Sequence, residues 1–549
     1  MASRILTIGI DGGNLELVNR FDLPHIRSLQ GKGSWGNLLT VVPPVTAPAW
    51  VSFLTGRNPG KHGVFEFMRR QPDSYDLSPV NSSSIQSPTF VDIISHRGRK
   101  AVLVNVPVTY PPRPLNGLCV TGLLTPSQES EYTYPLELKR EIESRIKDYV
   151  IFSDVIYAPG REEEFLLGLE NQVEKRTELI RYLLDNYQWD FFMAIYNATD
   201  TVQHGLWGYT DPRSHTYDFP NRKIFASGIE RIYRKVDESI GRLTARVGGE
   251  TDIILMSDHG AGSLYWFLHV NIFLLRQGYL KIKRRPRSQI KLALFRLGFT
   301  LKNIYQLAYR LGLGRSRRAL DAKRTRRKLL ARLFLSFEDV DWKRTVAYSR
   351  GYIGQVFLNV RGREPEGIVS RGDEYRRLRE RIIADLRQLV TPDGKTKLIS
   401  EVYFSEDLYS GPYVDQAPDI TFLTENMETV AFGNFEFSSR RVIEPAFTGI
   451  SGHHRMKGMY SFSGPSFLPR GRCRDLSILD LAPLILYLLD LPVDRDMDGR
   501  VPREVIDPRI LDDRPVRFED YFSGRSELHN YRQGEVEKIV GKLQGLGYM

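Results

Sequence analysis

Short apolar runs that end in polar, glycine-containing turns recur along this chain. Ile5–Ile10 runs into Asp11-Gly12-Gly13, Ala101–Val106 into Pro107, Phe191–Tyr196 into Asn197 and Asp200, and Asp252–Met256 into Ser257-Asp258-His259. Runs of this length without polar alternation suit strands covered on both faces, as in a parallel sheet between helical layers. Between them the spacing predicts helices over Pro135–Lys147, Glu162–Asn186 and Ile224–Val247. The alternation predicts an α/β fold: a doubly wound, mostly parallel sheet with helices on both faces. Further on, Val346–Val360 predicts a β-hairpin, Asp373–Val390 a helix, Asp419–Leu423 a strand and Ser477–Leu489 an apolar helix closed by Leu491-Pro492.

One stretch breaks this rhythm. From Ser263 to Trp342, leucines and aromatics (Leu292, Leu294, Phe295, Leu297, Phe299, Leu301, Ile304, Tyr305, Leu307) alternate with Lys and Arg, the pattern of amphipathic helices. The expected organisation is a first part of the core over 1–262, a basic helical insertion or cap over 263–344, and the second part of the core over 345–502. A polar tail over 503–549, with little core-forming pattern, is expected to wrap the surface.

Charge sharpens the picture of the insertion. Between Arg276 and Leu335 there are 19 basic residues and one acidic residue, Asp321, a local +18 that leaves −7 for the rest of a chain whose total is +11. The basicity therefore belongs to one segment. It predicts either an anionic membrane surface as partner, with Phe295, Phe299, Ile304 and Tyr305 entering the headgroup region, or a cationic cap that steers anionic substrates. Nucleic acid is disfavoured because no recognised binding module is present.

Composition excludes several classes. With 41% hydrophobic residues and two cysteines, Cys119 and Cys473, the 549-residue chain has neither a disordered composition nor a disulfide framework, and no cysteine pair is spaced for a thiolate metal site. The N-terminal MASRILTIGIDGG lacks the length and flanks of a signal peptide, and no window reaches the roughly 18 uninterrupted apolar residues of a membrane-spanning helix. A cytoplasmic protein is the expectation, with peripheral membrane attachment as its variant.

Candidate chemistry sits where strands end. Three strands deliver an aspartate there, Asp11, Asp200 and Asp258, the edge at which open α/β sheets place ligands. Asp200 and His204 are four apart, so a helix starting at the strand end would put both on one face. Asp258 and His259 are adjacent and would bind together only in a turn. Thr46 opens Ala47-Pro48-Ala49-Trp50, which reads as a helix with Thr at the N-cap and Pro in its first turn. A late Gly452-His453-His454-Arg455 adds two histidines. Asp and neutral His suit Zn²⁺ and Mn²⁺, and two such cations about 4 Å apart clamp the attacking and leaving oxygens of a displacement at phosphorus. Each aspartate alone would read as a cap or turn residue; their coincidence with Thr46, His204 and His259 favours a site. His62 reads as packing a turn, and His25, His96, His215, His269 and His529 as ordinary polar residues. Asn105, Thr109 and Tyr110 are open to either pocket lining or turn chemistry.

The order Asp11, Thr46 with TAPAW and TGRNPGKHGV, Asp200 with His204, Asp258-His259-Gly260, the late Gly-His-His-Arg and Asp496-Met497-Asp498-Gly499-Arg500 resembles the alkaline phosphatase superfamily, and within it the type I phosphodiesterase/nucleotide pyrophosphatase branch. The resemblance implies a metal-dependent phosphohydrolase with two divalent cations, Zn²⁺ or alternatively Mn²⁺. It implies Asp11, Thr46, Asp258 and His259 around one ion and Asp200, His204 and His454 around the other, with His453 as the alternative to His454 and Thr46 as the nucleophile that becomes phosphorylated. The branch usually carries an Asn shortly after HGI or HGV; here His62-Gly63-Val64-Phe65-Glu66-Phe67 has none, and a carboxylate at Glu66 would repel a phosphate unless protonated or turned away. The expected activity is that of a phosphodiesterase/nucleotide pyrophosphatase. Its alternatives are a phosphomonoesterase or phosphotransferase on the same core, or a non-catalytic protein that binds a membrane or polyanion.

Overall fold

The computed structural model describes residues 4–300 except 72, 154 and 220; residue 303; residues 332–521 except 393, 395, 434–436 and 447–448; and residues 528–546. Leu301, Ile304, Tyr305 and Leu307 of the basic stretch lie outside the described residues.

The apolar runs form the centre of a ten-stranded sheet. Its strands are β1 (Arg4–Ile10), β2 (Ser34–Leu39), β3 (Ala101–Val106), β4 (Gly117–Thr121), β5 (Thr133–Tyr134), β6 (Phe191–Tyr196), β7 (Thr251–Met256), β8 (Lys457–Ser463), β9 (Gly471–Arg472) and β10 (Leu476–Ser477). They lie in the order β9-β2-β8-β7-β1-β6-β3-β4-β5, with β10 beside β2. The block β7-β1-β6-β3-β4 is parallel throughout, while β8 runs antiparallel to β2 and β7, and β5 to β4. Parallel strands need covered crossovers, and every residue of β3, β6 and β7 is buried.

Because side chains alternate along a strand, each run feeds two cores. Leu6, Ile8 and Ile10, Val102 and Val104, and Phe192, Ala194 and Tyr196 point into one cluster with the helices Glu162–Asn186 and Gly228–Val247. Ile5, Leu103, and Phe191, Met193 and Ile195 point into the other, with the helices Thr46–Thr55, Phe90–His96 and Leu481–Leu488. The fold is thus α/β, with a mostly parallel sheet flanked by helices on both sides.

A third cluster joins Leu268, Ile272 and Leu292 to Tyr348, Phe357, Ile382, Phe422 and Phe437. Described residues on both sides of position 345 therefore share one core, built on the helices Val270–Gln277 and Asp373–Leu386 and a four-stranded antiparallel sheet that contains the hairpin Ala347–Leu358. In the polar tail, Tyr531, Ile539 and Leu543 are buried in the first cluster, and the Tyr531 hydroxyl donates to the Leu124 carbonyl at 2.9 Å. Sparse spacing of three apolar side chains was enough to dock it. Among the described residues, no helix is long and apolar enough to cross a membrane.

Candidate active site

Three adjacent strands, β7, β1 and β6, end side by side, and their turns carry Asp258, Asp11 and Asp200. After β1 the chain turns through Gly12 at φ +64°, where a Cβ would sit 2.7 Å from Asp200 Oδ1. Glycine is needed there for backbone and space alike. The Gly12 N–H donates to Asp258 Oδ1 (3.1 Å), and its carbonyl accepts from Gln203 Nε2 (2.9 Å), so one residue ties all three strand ends together.

After β6, helix Ala198–Leu206 starts within two residues, and Asp200 and His204 fall on one face with Asp200 Oδ2 3.2 Å from His204 Nε2. After β7, Asp258 and His259 occupy the turn into strand Gly260–Ser263, which pairs antiparallel with Gly452–Arg455 in a register that sets Ala261 opposite His454. That pairing brings the late histidines to the strand ends. Thr46 differs from its sequence reading. Val45 is the N-cap of helix Thr46–Thr55, and Thr46, at the first helical position, makes no capping hydrogen bond. Its buried hydroxyl instead lies 3.1 Å from His259 Nε2.

Six of the seven residues form two groups, with Thr46 beside His259. Asp11, Asp258 and His259 offer atoms within 4.8 Å of one another, as do Asp200, His204 and His454, and all six are buried. The groups meet where the rings of His259 and His454 stack with centroids 3.6 Å apart, and the Nε2 atoms of His204 and His454 lie 3.1 Å apart. His453 is buried beside them, its ring centroid 5.7 Å from that of His204, but it belongs to neither group.

All three grouped histidines are held the same way. Nδ1 of His204 lies 2.9 Å from the Gly452 carbonyl, Nδ1 of His259 3.0 Å from that of Gly260, and Nδ1 of His454 2.8 Å from that of Pro44. With Nδ1–H donating to a carbonyl, Nε2 turns its lone pair into the site, the arrangement that prepares imidazole for a cation. Both oxygens of Asp11 and Oδ2 of Asp258 are buried without a hydrogen bond. Burial, with Asp258 and Asp200 adding repulsion, raises the Asp11 carboxyl well above its usual range. Burial also lifts Asp258 to about 6 although His259 opposes it. On Asp200 burial is outweighed by His204 and its neighbours, which hold it low. Buried carboxylates this close repel one another, and a cation between them removes both the repulsion and the missing contacts. The donor set of carboxylate oxygens and imidazole nitrogens therefore fits a divalent metal of the Zn²⁺ or Mn²⁺ type.

Supporting residues without a sequence signal complete the frame. Buried Arg176 donates to Asn197 Oδ1 (2.6 Å) and the Ile195 carbonyl (2.8 Å), fixing the end of β6. Arg455 donates to the carbonyls of Met427 (2.9 Å), His453 (3.2 Å), His454 (2.9 Å) and Ser263 (2.5 Å). Glu66 presents no free carboxylate: its oxygens accept from the backbone N–H groups of Phe67 (2.9 Å) and Tyr352 (3.2 Å). His62 bridges Ser52 Oγ (2.9 Å) and the Val64 N–H (3.2 Å), the turn-packing role its sequence context predicts. Asn105 donates across to the Thr121 carbonyl of the neighbouring strand, and Thr109 donates to the Val106 carbonyl within its own turn. His269, which has no visible partner in the sequence, is buried against Glu444 at 2.8 Å.

Residues 5–349 match the family described as type I phosphodiesterase / nucleotide pyrophosphatase, and the chain belongs to that family. Among solved structures, phosphonoacetate hydrolase from Sinorhizobium meliloti 1021 in complex with phosphonoformate has the same fold, with a TM-score of 0.54 and 13% identity over 89% of this chain and 96% of that one. Human ectonucleotide pyrophosphatase / phosphodiesterase 5 aligns with a TM-score of 0.49 and 12% identity over 92% of this chain and 100% of that one. A search of curated proteins finds no match.

Proposed function

We propose that this enzyme cleaves phosphodiesters through a phosphorylated Thr46, with Asp11, Thr46, Asp258 and His259 holding one divalent cation and Asp200, His204 and His454 a second. The observation that carries the reading is the pair of buried groups, Asp11 with Asp258 and His259, and Asp200 with His204 and His454, beside a Thr46 hydroxyl 3.1 Å from His259 Nε2. When bound, the cations supply positive charge that lowers the pKa of the Thr46 hydroxyl and offsets charge on the phosphoryl oxygens. Thr46 is pinned at the start of a buried helix, whose free N–H groups and dipole favour an incoming anion. Its Oγ1 attacks phosphorus, the ester oxygen leaves on the opposite side carrying the bond's electron pair, and the hydroxyl proton is lost to solvent. Water then cleaves the phospho-threonine and restores the hydroxyl.

Zn²⁺ is the proposed native metal, and reconstitution with Zn²⁺ against Mn²⁺ decides it. Turnover of bis-p-nitrophenyl phosphate should exceed that of the monoester. Thr46→Ala should nearly abolish turnover while leaving the fold and metal content largely intact, because the other donors remain. Near-parental turnover in that variant would sink the covalent route. Asp258→Asn should lower metal content and rate together, since a neutral amide is the poorer ligand; unchanged metal on elemental analysis would remove Asp258 from the donor set.

A further inference from the structure

Helix Pro286–Leu297 is inverted relative to an ordinary surface helix. Its inner side carries Ser288, Lys291, Leu292 and Phe295. There Asp339 accepts from Ser288 Oγ (2.8 Å) and Lys291 Nζ (2.7 Å), so a lysine is buried. Its outer side carries Ile290, Leu294 and Leu297, which are 60%, 38% and 81% exposed, with Ala293 exposed between them. The spacing i, i+3, i+4, i+7 makes one apolar stripe facing away from the core. Phe299, 41% exposed and stacked on Phe334 with centroids 4.9 Å apart, extends it past the helix end, and exposed Leu333 immediately precedes Phe334 in sequence. Phe295, which the sequence alone assigns to the outward set, turns inward against Phe437.

The stripe is rimmed by cations. Arg284, Arg285 and Arg287 are exposed at its N-terminal end, and Arg296 and Arg440 at the other, where Arg440 donates to the Arg296 carbonyl at 2.7 Å. No Asp or Glu occurs between residues 259 and 320. Three arginines around a helix N-terminus oppose its dipole, so helix stability gives no reason for their position. An external anion would relieve that repulsion.

We propose that this face seats on an anionic phospholipid bilayer, with Ile290, Leu294 and Leu297 among the headgroups and the surrounding arginines on lipid phosphates. Aliphatic side chains within a basic rim are what such a surface rewards. A second copy fits poorly, because a two-fold contact would set one arginine rim against the other. Single-stranded nucleic acid fits poorly too, since the stripe is aliphatic apart from Phe299, and one face of that ring is already covered by Phe334.

The test is co-sedimentation of the full chain with vesicles of phosphatidylcholine alone or mixed with phosphatidylglycerol. The parent should pellet with the mixed vesicles only. Ile290→Ser with Leu297→Ser should weaken that binding roughly tenfold or more by removing apolar burial. Arg284→Ser with Arg285→Ser and Arg287→Ser should do the same by removing charge. Turnover of a small diester should stay at the parental level in both, which also reports correct folding; Leu297→Ser alone carries the test if the double variant does not fold. A parent that ignores anionic vesicles overturns the proposal. So does binding that survives the serine pair unchanged, which would place the contact on other basic residues, and so does a dimer, seen by ultracentrifugation, that the serine pair breaks.

Discussion

Glu66 is a buried carboxyl that accepts two backbone N–H groups, and burial raises it from 4.5 to about 7 despite them. Its neutral form is therefore favoured by folding. The stability it contributes is complete below pH 4.5 and is lost as pH rises through 7, a change of about 3 kcal/mol across that window. Glu66→Gln has no such titration, so the parent's stability advantage over the variant should shrink between pH 5 and pH 8. Urea midpoints at the two pH values check it, and a constant difference would mean that Glu66 keeps an ordinary pKa. At this scale the sequence marked the residues that the structure groups at the strand ends and hid how they are held. Asp11, Asp200, His204, Asp258 and His259 were legible because strand ends and i,i+4 spacing are local patterns. Thr46 was legible as a helix start and misplaced by one position, since only the tertiary contact with His259 separates a first helical residue from its cap. The orientation of Glu66 depends on the N–H of Tyr352, 286 residues away, and no local pattern records it.

Strand Gly452–Arg455 shows the same division between elements. Its Gly-His-His-Arg sequence offers two candidate ligands, and the antiparallel register with Gly260–Ser263 sets His454 opposite Ala261, where it joins the group with Asp200 and His204. Arg455 fixes that register through four carbonyls drawn from three segments, and it is a positioning residue for His454. Arg455→Leu leaves those carbonyls unsatisfied at about 1–3 kcal/mol each if they stay buried, and releases the strand. The expected result is a metal affinity lower by roughly 10–100-fold, the usual effect of losing an outer support. Arg455→Lys should restore part of it. Competition with a chelator measures the affinity, and a variant that loses only melting temperature would confine Arg455 to the fold. Continuous apolar runs made β1, β3, β6 and β7 readable, because strands buried on both faces have no alternation to confuse. Helix Pro286–Leu297 was readable as amphipathic but not in its orientation, since burying Lys291 depends on Asp339, 48 residues on.

Across the whole molecule, two segments more than 430 residues apart are locked together just past the C-terminal end of the helix that starts at Thr46. Arg57, buried just after the helix that carries Thr46, pairs with buried Asp494 and donates through Nε to Asp496 Oδ2 at 3.0 Å. Four residues on, Lys61 donates to Asp498 Oδ1 at 2.7 Å and to the Asp496 carbonyl at 2.8 Å. The segments TGRNPGKHGV and DMDGR are recognisable separately, but their pairing spans more than 430 residues and belongs to topology. The pairing matters energetically because Asp494 is only 1% exposed, so removing its partner strands a charge in the interior. Arg57→Ala should cost about 3–5 kcal/mol, whereas replacing both partners with apolar residues, Arg57→Met with Asp494→Leu, should cost clearly less than the sum of the single changes. Exposed pairs such as Arg371 with Asp415 should shift stability by less than about 1 kcal/mol. Denaturant unfolding of the two singles and the double gives the coupling directly. Strict additivity would show that Arg57 and Asp494 contribute independently, and that the two segments are held by the packing of helix Leu481–Leu488 against helix Thr46–Thr55 rather than by this ion pair.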